Sequence, residues 1–120
     1  MEIKLAVIGS RTFTDEKHYE ILKKTLDEIH TSNKIVEIVS GSAIGADSLA
    51  RRYSLENHIP LVEYKPKWDE YGKSAGFMRN TDIINHCDKV VAFWDGKSHG
   101  TKDSIEKAKK YNKPIFIVYF

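Results

Sequence analysis

The feature that most constrains this chain is a regular alternation of strand-sized apolar runs with segments of helical spacing. Ile3–Ile8, Ile35–Val39, Leu61–Tyr64, Lys89–Phe93 and Pro114–Phe120 are rich in Ile, Val and aromatic residues and predict strands. Between the first two runs, Tyr19, Leu22, Leu26 and Ile29 recur at three- and four-residue steps, the spacing of one helix face. Ala46, Leu49, Ala50 and Tyr53 repeat that pattern. A third helix is expected from about Ser74 to His86, and a fourth from about Lys102 to Tyr111, stopped by Asn112-Lys113-Pro114. The order β-α-β-α-β-α-β-α-β predicts an α/β three-layer sandwich, a five-stranded and mainly parallel sheet with helices on both faces. The first, second and fourth strands are almost wholly apolar, as strands buried on both sides must be.

Length and charge narrow the function classes. With 120 residues, 41% of them apolar and 30% charged, the chain reads as a single domain over residues 1–120 with one real core. Its 19 basic and 17 acidic side chains give a net charge of +2, too weak a bias to announce a nucleic-acid binder. A single cysteine, Cys87, excludes an internal disulfide and a cysteine-rich zinc site, and is expected to be a small buried residue. No other residue spacing calls for a metal or a tightly held cofactor. No apolar run approaches the roughly 20 residues a membrane span needs. The opening Met1-Glu2-Ile3-Lys4 shows no signal-peptide pattern, so the expected compartment is the cytoplasm, with no membrane partner.

In parallel sheets, ligands sit beyond the carboxyl ends of the strands. The unusual residues of this chain collect there. Gly9-Ser10-Arg11 follows the first strand, and Ser40-Gly41-Ser42-Ala43-Ile44-Gly45-Ala46-Asp47 follows the second. The third leads to Trp68, then Tyr71-Gly72-Lys73-Ser74-Ala75-Gly76 and Arg79-Asn80; the fourth leads to Trp94-Asp95-Gly96-Lys97-Ser98-His99-Gly100-Thr101. Glycine turns opening helices bring backbone N–H groups and a partial positive charge to an oxyanion. Arg11, Lys73 and Arg79 add cations suited to phosphate, and Asp47 or Asp95 could accept hydrogen bonds from ribose hydroxyls. Together these residues fit a nucleotide.

The familiar phosphate motifs do not fit. Neither glycine pair has G-x-G-x-x-G spacing, and the Gly72-Lys73-Ser74 triplet has Lys67 where a P-loop needs its first glycine. Plainer readings stand beside the functional ones. Trp68 and Tyr71 either face a base or pack a loop against the core. Asp47 either binds ligand or complements its helix dipole. Asn80, sharing a helix face with Phe77 and Ile84, either meets ligand or makes a buried structural hydrogen bond. His18, His30 and His58 read as solvated helix positions, and only His99, inside a glycine loop, reads as a ligand contact.

These four motifs, in this order, resemble the YspA and YpsA-like group of the SLOG superfamily, and the likeness spans nearly the whole chain. It implies a Rossmann-like sheet, pairing into homo-oligomers, and a site lined by Gly9, Ser10, Arg11, Gly41, Gly45, Asp47, Arg79, Asn80, Gly100 and Thr101. Ser42, Ala46, Trp68, Lys73, Asp95, Gly96 and Ser98 join that set from the reading of the strand ends. The resemblance implies three functions. The first is a sensor, carrier or sponge for a nucleotide-derived small molecule of ADP-ribose or nucleoside-phosphate type. The second is an N-glycosidase releasing the base from a nucleoside monophosphate. The third is a module for single-stranded DNA, as in the DprA branch. Against the second, the phosphoribohydrolases of the superfamily carry P-G-G-x-G-T-x-x-E, whereas here Ser104 replaces the glutamate and Trp94-Asp95-Gly96 the Pro-Gly-Gly. Asp103 is one residue early and is expected to point about 100° away around the helix.

Overall fold

Strand β1 (Glu2–Gly9) lies in the middle of the sheet, and its sequence shows why: Ile3, Leu5, Ala6 and Val7 have no exposed surface, and only Lys4 interrupts the run. The computed structural model describes the whole chain, Met1–Phe120. Around β1 are β2 (Lys34–Gly41), β3 (Leu61–Tyr64), β4 (Lys89–Trp94) and β5 (Ile115–Tyr119), in the spatial order β3-β2-β1-β4-β5. Every pairing is parallel. The sheet is wholly parallel, and the fold is Rossmann-like.

Two cores form because side chains alternate across the sheet. Leu5 and Val7 of β1, with Val91 and Phe93 of β4, pack under α1 (Glu16–Ser32) and α2 (Ala46–Glu56) through Leu22, Leu26, Ala50 and Tyr53. Ala6, Ile8, Val90 and Ala92 face the other way. They meet Ile83 and Ile84 of α4 (Ala75–His86), and Ile105 and Ala108 of α5 (His99–Lys110). Ile35 and Ile38, at a spacing wrong for one strand face, share the first core because the register shifts between Ile3 and Lys4, leaving Val36 as the extra residue. Burying a side chain such as Leu22 or Ile84 contributes about 1.5–3 kcal/mol.

The ends of the helices differ in places from the sequence reading. Helix α5 starts at His99 rather than near Lys102, because Gly100 and Thr101, which read as loop, form its first turn. A short helix, α3 (Trp68–Tyr71), and a 3-10 turn, Gly72–Ser74, precede α4; neither buries a residue, so neither has a periodic apolar face to betray it. His18 is not a solvated position. It completes the cap of α1, its N–H donating to Asp15 Oδ1 (2.9 Å) while its ring Nδ1 accepts from the Thr14 N–H (3.0 Å). His30 is exposed in the last turn of α1, as expected, and its Nδ1 accepts the Ile35 N–H (3.0 Å). Cys87 is buried, and burial pushes its thiol up to about 11, which suits a packing role. No helix is long and apolar enough to cross a membrane.

Candidate functional site

The chain leaves β1 toward β2 on one side, and returns from β3 to β4 on the other. That reversal of strand order opens a crevice above the carboxyl ends of β1 and β4. A cleft of about 320 Å³ lies there. Gly9, Ser10, Arg11 and Thr12 line it from the end of β1, Ala43 and Asp47 from the start of α2, and Arg79, Asn80 and Ile83 from α4. Ser98, His99, Gly100, Thr101 and Ser104 close it from α5.

Close backbone approach shapes its floor. At Gly45, φ is +87°, and a Cβ there would lie 2.5 Å from the Ser10 carbonyl oxygen, so only glycine lets the start of α2 sit against the exit of β1. The Ala46 N–H then donates to Ser10 O (3.3 Å). At Gly41 the crowding comes from side chains: a Cβ would lie 2.5 Å from Arg79 Nη1 and 2.7 Å from Asp47 Oδ2. Gly9 has no room either, since a Cβ there would lie 2.4 Å from Phe93 O.

A hydroxyl–carboxylate ring joins the ends of β1 and β4. The Asp95 N–H donates to Ser10 Oγ (3.1 Å), Ser10 and Ser98 hydroxyls are 2.9 Å apart, and the Ser98 hydroxyl reaches Asp95 Oδ1 (2.9 Å). Asp95 Oδ1 also accepts from the N–H groups of Ser98 and Lys97, each at 2.8 Å. Those backbone donors, Ser98 first, hold the Asp95 carboxyl down at about 2. Ser98 is the N-cap of α5, yet its hydroxyl is turned to this ring and does not cap its own helix. Lys102 is the first residue whose N–H returns to the helix, on Ser98 O (3.1 Å). The N–H groups of His99, Gly100 and Thr101 therefore have no protein acceptor, and these residues line the cleft.

The charges are arranged unevenly. Asp47 is buried and its oxygens are engaged: Ser40 Oγ lies 2.9 Å from Oδ1, and the Ala43 N–H donates to Oδ2 (3.1 Å). Burial pushes its carboxyl pKa up, against the pull of those hydrogen bonds and of Arg79. Arg79 is half-buried. Its Nε donates to Asn80 Oδ1 (3.1 Å) and its Nη1 to Tyr64 O (3.3 Å), but no carboxylate is within ion-pairing distance of it. Burial lowers its pKa; nearby Asp47 works against that and Arg11 works with it. Arg11 is exposed at the mouth. Asn80 is buried and donates from Nδ2 to Gly100 O (3.2 Å), tying α4 to the first turn of α5.

The structure thus brings Gly9, Ser10, Arg11, Asp47, Arg79, Asn80, Ser98, Gly100 and Thr101 to one cleft, with His99 among them. It places Gly41, Gly45 and Ala46 behind the wall as close-packed backbone, and leaves Ser42 half-buried outside the lining. Asp95 orders the loop from outside the lining, and Gly96 is exposed at φ +80°. Trp68 and Lys73 are exposed on the α3 side and do not reach this cleft; Trp68 keeps 54% of its surface exposed and so does not pack into the core either. Ile8, Thr12, Ala43, Ile83 and Ser104 also line it, though the sequence did not single them out as contacts. Helical spacing points to two of them: Ile83 lies one turn beyond Arg79 and Asn80, and Ser104 one turn beyond Gly100 and Thr101. Asp103 is turned from the cleft toward Asn80 Nδ2 (3.3 Å) and Lys107 Nζ (2.8 Å).

Known proteins resemble this chain in sequence or in fold. The Gene 61 protein of Mycobacterium phage D29 is 29% identical over 119 residues, 93% of each chain. DNA processing protein A from Helicobacter pylori, whose structure is described for its single-stranded DNA binding mode, matches with a TM-score of 0.71 at 26% identity. That match covers 96% of this chain and 64% of the other, so this chain spans less than two thirds of that protein. A family model described as the YspA, cpYpsA-related SLOG family matches residues 3–71, more than half of the 120 residues, and the chain belongs to that family.

Proposed function

We propose that this protein binds a nucleotide-derived small molecule, of ADP-ribose or nucleoside-phosphate type, by its phosphate, and acts as a sensor, carrier or sponge. The observation that carries the reading is Arg79: a half-buried guanidinium without an ion-pair partner, lining the same cleft as the acceptor-free N–H groups at the start of α5. Asp47 only partly offsets the desolvation of this half-buried cation, and a phosphate would meet both the guanidinium and the backbone donors. Arg11 at the mouth would add a second cation. Ser104 favours binding over cleavage. It faces the cleft where the resemblance to phosphoribohydrolases calls for a glutamate, and Asp103 is turned away to Asn80 and Lys107.

The likeness to the DNA processing protein, at a TM-score of 0.71, favours a second reading in which the phosphate belongs to a single strand of DNA. Calorimetric titration with 5′-AMP and ADP-ribose, beside fluorescence anisotropy with a labelled oligothymidylate, separates the two. For a strand, log affinity should fall with log salt by about 0.7 per phosphate contacted. Arg79→Ala should weaken binding of the preferred ligand about tenfold or more while melting as a folded protein. A folded Arg79→Ala variant with wild-type affinity, or a wild-type protein that binds none of the three, would overturn the reading. Release of free adenine from 5′-AMP would instead establish the glycosidase.

A further inference from the structure

A second cleft, of about 510 Å³, opens on the other side of Arg79, between the end of β3 and α4. Its lining includes Lys65 and Lys67 just after β3, Tyr71 of α3, and Met78 and Asp82 of α4. Arg79 belongs to both walls. Its Nε is held by Asn80, a residue of the first cleft, and its Nη1 by the carbonyl of Tyr64, a residue of the second, so the guanidinium sits on the saddle between them. Neither Lys65 nor Lys67 forms an ion pair, and against these two cations and Arg79 the lining sets one carboxylate, Asp82, with Glu70 beside Tyr71 at its edge. Tyr71 and Met78 each leave 41% of their surface exposed, and α3 buries nothing, so the fold itself does not require an aromatic there.

We infer that the two clefts form one bipartite site for a phosphodiester-linked dinucleotide unit, with the second nucleotide seated in the cleft of Lys65, Lys67, Tyr71 and Met78. This rests on the proposal that the first cleft takes a nucleotide phosphate. Arg79 holds the bridging phosphate, because it is the one cation that faces both sides. Lys65 and Lys67 contact the far sugar-phosphate, and Tyr71 and Met78 give the second base a flat and a polarizable surface to lie on. Charge complementarity selects this occupant over a second copy of the chain, which would bring an identical cationic cleft against this one. Each cleft lies within the span of about 300–1,000 Å³ typical of small-molecule sites.

The test is calorimetric titration of 5′-AMP and of the 5′-phosphorylated dinucleotide pApA into three proteins: wild type, the double variant Lys65→Ala/Lys67→Ala, and Tyr71→Ala. The wild type should bind pApA about tenfold or more tighter than 5′-AMP, the gain one stacked base supplies. Both variants should lose most of that advantage and keep their 5′-AMP affinity within about twofold. If 5′-AMP binds but pApA binds no tighter, or the variants leave pApA binding unchanged, the bipartite site is overturned and the first cleft stands alone. If neither ligand binds the wild type, the phosphate-binding proposal fails and this inference with it. Light scattering on the same samples adds one more outcome. A change of oligomeric state in the variants with pApA affinity intact would assign the second cleft to contact between copies, and overturn the inference.

Discussion

Gly45 offers a sharp check on how the cleft is built. Replacing it with alanine asks a residue with a Cβ to hold φ +87° and ψ −130°, a region essentially reserved for glycine, at a cost of about 1–3 kcal/mol. The new Cβ would also lie 2.5 Å from Ser10 O, 2.6 Å from Arg11 Cα and 2.7 Å from Arg11 C. These are backbone atoms, which cannot rotate away, so relief requires moving the β1 exit or the start of α2, for roughly another 1–3 kcal/mol. The expected loss is therefore about 2–6 kcal/mol, a large fraction of a typical stability of about 5–15 kcal/mol. With a urea slope of about 2 kcal/mol per molar, the unfolding midpoint should fall by roughly 1–3 M. Urea titration followed by circular dichroism measures this directly. Gly100→Ala is the matched control: a Cβ there meets nothing within 4 Å, and the position is helical. It should therefore leave stability unchanged or raise it by up to about 1 kcal/mol. A loss below about 1 kcal/mol at Gly45, or an equal loss at Gly100, would refute the claim that close approach of α2 to the Ser10–Arg11 backbone shapes the site.

The two site carboxylates should respond to pH with opposite signs. The folded protein holds Asp95 at about 2, below its ordinary 3.8, so its contribution is present above about pH 4 and lost as pH falls toward 2. Wild type should be more stable than Asp95→Ala at pH 7, with urea midpoints converging between pH 4 and 2; a gap independent of pH would sink the assignment. Asp47 is raised by burial, so the folded state holds its proton more tightly than the unfolded chain, and its ionisation costs stability as pH rises above 3.8. Asp47→Asn keeps an acceptor for the Ala43 N–H and should gain on the wild type from pH 4 to 7, an expectation that a flat difference across that range contradicts.

What the sequence could and could not disclose follows from which physical signals are local. A strand buried on both faces is largely apolar, so β1, β2 and β4 are legible as runs despite Lys4 and Glu37, and their alternation with periodic helices leaves a parallel sheet as the natural arrangement. The position of the cleft is legible for the same reason, since parallel strands gather their carboxyl ends on one edge. Side-chain direction is not local. Lys73 and Trp68 stand near the motif Arg79-Asn80 in sequence, but α3 and the 3-10 turn carry them along the outer side of α4 while Arg79 turns inward toward Gly41. Asp95 and Ser98 look like ligand contacts from their glycine-rich setting. The three-dimensional ring with Ser10 gives them a prior task, to hold the loop so that α5 presents its N–H groups uncapped. Arg79 reads from sequence as a phosphate cation, but its place in the walls of two clefts does not. Its position between two clefts depends on three separate chain segments: Tyr64 O anchors one nitrogen, Asn80 another, and the missing Cβ of Gly41 makes the space the guanidinium fills. A glycine that reads as a loop residue is the last residue of β2, and its missing Cβ leaves room for an arginine from α4. Gly41→Ala is therefore expected to displace Arg79, the far end of a flexible side chain, and so to weaken the proposed phosphate binding more than it disturbs the backbone at the end of β2.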